Sequence, residues 1–90
     1  MKLRFTPRAA AELDAVLEFI DQRTPKGAQN VMKSVQETIE LIRLYPEAGQ
    51  QTSRTGLRRM VARRYPYLIF YRATKDEVIV HGVRHGARRS

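Results

Sequence analysis

Arginine, histidine and tyrosine crowd the second half of this 90-residue chain: Arg58, Arg59, Arg63, Arg64, Arg72, Arg84, His85 and Arg88, interleaved with Tyr65, Tyr67 and Tyr71. These residue types suit two kinds of chemistry. Cleavage of RNA by attack of its own 2′-hydroxyl needs a base, an acid and cations that offset charge building on the phosphorane, and His, Tyr and Arg fill those roles without a metal. Alternatively, the same groups grip phosphates or acidic side chains and transform nothing. Tyr67, Ile69 and Tyr71 alternate along one strand, so those rings read as core. His81, inside an apolar run, reads as a structural histidine.

Other chemistries find no residues. Gly82 and Gly86 precede no helix, so no Gly-rich phosphate loop exists. The serines are Ser34, Ser53 and Ser90, there is no cysteine, and none sits in a nucleophile-and-base pattern. His81 and His85 lie among cations that repel a metal ion. No metal and no cofactor are expected.

The formal charge of +8 is unevenly placed. Residues 1–53 carry seven basic and seven acidic groups, whereas residues 54–90 hold ten basic groups, nine of them Arg, against Asp76 and Glu77. Guanidinium favours planar, bidentate contact with carboxylate or phosphate, so the second half calls for an anionic partner. The lack of cysteine excludes a disulfide scaffold and fits a reducing compartment. No apolar run reaches the ~18 residues of a membrane span, so a cytoplasmic location with no membrane partner is expected.

These side chains need elements to position them, and the length suits one domain over 1–90. Leu3 and Phe5 alternate with polar residues, predicting a short strand over 1–6. Thr6-Pro7 and Thr24-Pro25 are N-cap and first-turn pairs that open helices over 7–23 and 25–45. Leu13, Val16, Leu17 and Ile20, then Val31, Val35, Ile39 and Ile42, recur at helical spacing. Residues 46–56 read as a surface loop. Strands over 57–64, 67–73 and 77–83 follow, joined by close turns into an antiparallel meander. The result is an α+β domain, β-α-α-β-β-β, with an antiparallel helical hairpin on one sheet face and a basic tail over 84–90.

The run Arg63-Arg64-Tyr65-Pro66-Tyr67-Leu68-Ile69-Phe70-Tyr71-Arg72, with Val83-Arg84-His85-Gly86-Ala87-Arg88, resembles the RelE/ParE superfamily of toxins from bacterial type II toxin–antitoxin modules. The Pro-Tyr-Leu-Ile-Phe-Tyr strand and the His-Gly-Ala-Arg ending are similar to the ParE branch. That resemblance implies a protein that inhibits DNA gyrase and so replication, neutralised by a cognate antitoxin within an oligomeric complex. It implies a contact set of Arg63, Arg64, Arg72, Arg84, His85 and Arg88, none of them catalytic. The RelE branch instead contains ribosome-dependent mRNA endonucleases. If this chain were one, Arg59, Arg64 and His85 would be its catalytic groups. Nuclease members, however, carry an Arg where Leu68 stands and a second strand cation where Val61 stands. The ParE branch commonly continues past His-Gly-Ala-Arg with an acid, where this chain has Arg89 and Ser90. A basic nucleic-acid-binding module is the third reading of the same charge.

Overall fold

Residues 1–86 of the computed structural model are described. The chain opens with β1 (Lys2–Phe5), followed by α1 (Pro7–Asp21) and α2 (Pro25–Leu44). The strands β2 (Gln50–Gln51), β3 (Arg58–Val61), β4 (Tyr67–Ala73) and β5 (Glu77–His85) complete it. The Thr6 hydroxyl oxygen accepts from the Ala9 amide at 3.1 Å, and the Thr24 hydroxyl oxygen from Gly27 at 3.1 Å. Each cap satisfies an otherwise orphaned amide, and Pro at the next position has none to lose.

The five strands form one sheet in the order β1-β5-β4-β3-β2. The meander β3-β4-β5 is antiparallel, and β1 joins β5 in parallel, with Leu3 opposite Val78 and Phe5 opposite Val80. Both helices cover one face. Leu13 of α1 and Val31, Val35, Ile39 and Ile42 of α2 are buried against Ile69, Tyr71, Val78, Val80 and Val83. Among the described residues, no helix covers the opposite face of the sheet.

The α+β class and helical hairpin are as the sequence predicts; several boundaries differ. The first helix ends at Asp21, not 23, because Arg23 and Thr24 turn their amides back onto the Ile20 carbonyl. That frees Thr24 to cap α2. The second ends at Leu44, not 45, because Tyr45 precedes Pro46, whose ring disfavours helical geometry before it. The strand expected over 57–64 covers only Arg58–Val61, since Arg63 and Arg64 form the turn, Arg64 with φ of 68°. Within the loop expected over 46–56, Gln50 and Gln51 pair with Arg59 and Arg58. The last strand runs past 83 to His85, because Arg84 and His85 find partners in Leu68 and Tyr67. Two residues of the expected tail over 84–90 are therefore strand, and 87–90 lie outside the described residues.

Between β4 and β5 the register slips: Phe70 faces Gly82 while Tyr71 faces Val80, leaving His81 as the extra residue of a bulge. Before the bulge even-numbered residues of β5 face the helices; after it odd-numbered ones do. Val83 is thereby buried and Arg84 is turned to the opposite face.

Candidate functional site

Two buried hydroxyls of α2 hold the β3–β4 turn. Ser34 donates to the Arg63 carbonyl, and the Arg63 amide donates to the Thr38 hydroxyl oxygen at 3.3 Å. Thr38 in turn donates to the Ser34 carbonyl at 2.8 Å. The turn is clamped to the helix from both backbone groups of one residue. Arg64 beside it adopts a left-handed conformation that costs a non-glycine residue of order 1 kcal/mol. Both arginines are exposed, and they flank a cleft of about 350 Å³ lined also by Asn30, Lys33, Glu37 and Tyr65.

His85 lies at the same end of the sheet. It pairs with Tyr67, and the two rings meet edge-on with centroids 5.2 Å apart. Tyr67 packs against the core, so His85 belongs to the helix-covered face. Its neighbour Arg84 pairs with Leu68 on the uncovered face. There the Arg84 guanidinium sits 5.5 Å from the Phe70 ring centroid and 3.9 Å from the Glu12 carboxylate.

The remaining arginines separate. Arg59 shares the uncovered face with Phe70, its Nε and Nη2 donating to Gln50 Oε1 at 3.2 and 3.1 Å. Arg58 is on the helix-covered face and donates to the carbonyls of Glu47 and Gly49 at 3.2 and 2.8 Å, a tie for the loop after α2. Arg72 is at the far end of β4, where its guanidinium donates to the Thr55 carbonyl. Arg88 falls outside the described residues. The expected contact set thus resolves into Arg63, Arg64 and His85 at one sheet end, Arg84 at that end on the other face, and Arg72 about four residues, roughly 13 Å, along the strand. Arg59 and His85 do not share a face.

Val61 and Leu68, the positions where nuclease members carry cations, are direct cross-strand partners on the uncovered face. Together with Met60, Pro66 and Gly86 they line a depression that Gln50 and Arg59 also border, and Val61 is 58% exposed. Among the described residues, no group of three or more His, Asp or Glu could hold a metal ion.

Sequence reasoning overlooked the anchors. Ser34 and Thr38 stand four residues apart on the apolar stripe of α2, and two hydroxyls on a buried face do signal a backbone partner. Glu12 was also missed: its Oε1 accepts from the Val83 amide at 3.1 Å, where β5 extends beyond the end of β1. Acidic Glu77 pairs with Arg4 at 3.0 Å, and that hydrogen bond holds its carboxyl below the usual range.

Comparison with known proteins agrees with this architecture. The family described as the ParE toxin of the type II toxin–antitoxin system parDE matches residues 3–90. The protein named toxin RelE2 of Caulobacter vibrioides is 33% identical over 84 residues, covering 93% of each chain. A solved chain of the chromosomal ParDE toxin–antitoxin system of P. aeruginosa superposes with a TM-score of 0.82. It covers 94% of this chain and 95% of that one at 23% identity, a likeness of fold.

Proposed function

The chain belongs to the ParE family of toxins from type II toxin–antitoxin systems, and from that premise we propose that it inhibits DNA gyrase, stalling replication until a cognate antitoxin covers it. The observation that carries this reading is the Val61–Leu68 pair on the uncovered face. A nuclease needs cations aimed at the charge developing on phosphorus, and loss of one such donor costs about 3–4 kcal/mol of transition-state stabilisation. Two apolar side chains at those positions, with Arg59 and His85 on opposite faces, favour a protein that binds rather than cuts. The exposed guanidiniums of Arg63, Arg64 and Arg84 supply the binding charge.

Mechanism follows from positioning. The Ser34–Thr38 clamp holds the Arg63–Arg64 turn rigid before the target arrives, so little freedom is lost on docking. Neutralisation by an acidic, amphipathic antitoxin segment suits the same chain, because such a segment pairs charge and covers apolar surface together.

The test is expression of the chain alone in a bacterium carrying a reporter plasmid. Relaxation of the plasmid as growth stops, with mRNA intact and both effects reversed by the antitoxin, is the expected result. The folded variant Arg63→Ala/Arg64→Ala/Arg84→Ala is expected to lose the effect. Ribosome-dependent mRNA cuts on a normally supercoiled plasmid would overturn the reading in favour of the RelE-type activity, which the relative named RelE2 makes the second candidate.

A further inference from the structure

The last residues of β5 run along a bare sheet edge. The pairing of β1 with β5 ends at Phe5 opposite Val80, where the Thr6 amide closes it on the Val80 carbonyl at 3.0 Å. Among the described residues, no strand flanks residues 82–85 on that side. An edge amide in a part-buried place needs an acceptor. Here the acceptor comes from α1, since Glu12 Oε1 takes the Val83 amide at 3.1 Å across 71 residues of sequence.

The fit is close. Gly82 has no side chain, and a Cβ there would stand 3.2 Å from Glu12 Oε1, so the carboxylate lies against bare backbone. Its other oxygen, Oε2, stands 3.6 Å from Arg8 Nε and 3.9 Å from Arg84 Nε. The same carboxylate thus meets both the backbone of β5 and the side chain that follows. Val83 is buried in the core, and on the other edge Arg84 pairs with Leu68 while Gly86 donates to the Pro66 carbonyl. Glu12 supplies the tie on the side where β1 has ended.

We propose that Glu12 is the positioning residue of this end of the sheet: its carboxylate stands in for an edge strand, fixes the backbone at Val83 and so presents Arg84 on the uncovered face. Reach matters more than charge. An ion pair between partly exposed groups contributes little, and Arg84 Nε at 3.9 Å is beyond hydrogen-bond range of the carboxylate. The bond from the Val83 amide is charge-assisted and stronger than a neutral one, and its loss leaves a part-buried donor unsatisfied. Gly82 adds no side chain to pack, so without this anchor the strand frays from Val83 onward and Arg84 loses its fixed direction. The weight of Arg84 in inhibition rests on the gyrase reading; the anchoring of Val83 does not.

The test compares the full chain with Glu12→Ala, Glu12→Asp and Glu12→Gln. Amide hydrogen exchange reads the anchor at Val83, with Val80 as the reference for general stability. Glu12→Ala is expected to speed exchange at Val83 about ten-fold beyond any change at Val80, the loss of one charge-assisted hydrogen bond. Glu12→Asp keeps the charge but is one methylene short, and should behave like Glu12→Ala. Glu12→Gln keeps an acceptor oxygen at the same reach and should restore protection. The Arg84 side-chain protons, shifted by the Phe70 ring whose centroid lies 5.5 Å from the guanidinium, should move toward free-arginine values in the Ala and Asp variants. In a gyrase supercoiling reaction, the concentration giving half inhibition should rise several-fold for those two variants and fall back for Glu12→Gln. Unchanged Val83 exchange in folded Glu12→Ala, acceleration shared equally by Val80, or rescue by Asp and not by Gln would overturn the anchor. Unmoved Arg84 shifts, or undiminished inhibition once Val83 has lost protection, would overturn its role in presenting Arg84. A starting chain without effect on gyrase would overturn the gyrase reading instead, with exchange and shifts still deciding the placement of Arg84.

Discussion

Tyr71 shows how one side chain holds a loop. Its ring is fully buried, its hydroxyl donates to the Pro46 carbonyl at 2.7 Å, and the same oxygen accepts from the Gly49 amide at 2.9 Å. Tyr71→Phe keeps the packing and strands both backbone groups, so unfolding free energy should fall by about 1–3 kcal/mol in urea titration. Gly49→Ala should cost more, because its Cβ would overlap the Tyr71 ring and hydroxyl. His81 gives a prediction in pH. Its folded pKa lies below the unfolded value of about 6.5, so between the two the unfolded chain binds more protons. Its contribution to stability is complete above the unfolded value and is lost as pH falls through it toward the folded pKa. Urea midpoints should therefore fall on acidification from about pH 7, and His81→Gln should flatten that limb. A midpoint that rises on acidification would contradict the buried, neutral ring.

At the scale of elements, the β3–β4 turn lets stability be tested apart from the proposed function. Arg64→Gly removes the left-handed strain at the cost of a freer unfolded chain, so stability should stay level or rise by up to about 1 kcal/mol in thermal melts. Gyrase inhibition should drop in the same variant, whereas Ser34→Ala and Thr38→Ala should each lower stability by about 1 kcal/mol and loosen the turn. The Thr-Pro pairs made both helix starts legible, because caps are local chemistry. The parallel pairing of β1 with β5 was not legible, since Lys2 and Glu77 meet across the whole domain with no local signal. The bulge was the decisive hidden feature. Unbroken alternation would set Arg84 on the helix-covered face with Val78 and Val80 and His85 on the other, and the extra residue at His81 exchanges the two. The arginines could be read from the sequence, but their division between faces could not.

For the whole molecule, charge decides how partners approach. Residues 54–90 carry the entire net charge of +8, and among the described residues no helix covers the face opposite α1 and α2. Association with an acidic antitoxin should therefore slow markedly between low and physiological salt, while dissociation changes less, as stopped-flow mixing would show. The most direct measurement of the central claim is a gyrase supercoiling reaction given the purified, antitoxin-free chain. Loss of supercoiling with accumulation of cleaved DNA, absent when gyrase is omitted, is the predicted result. Unimpaired supercoiling by a chain shown to be folded would contradict it.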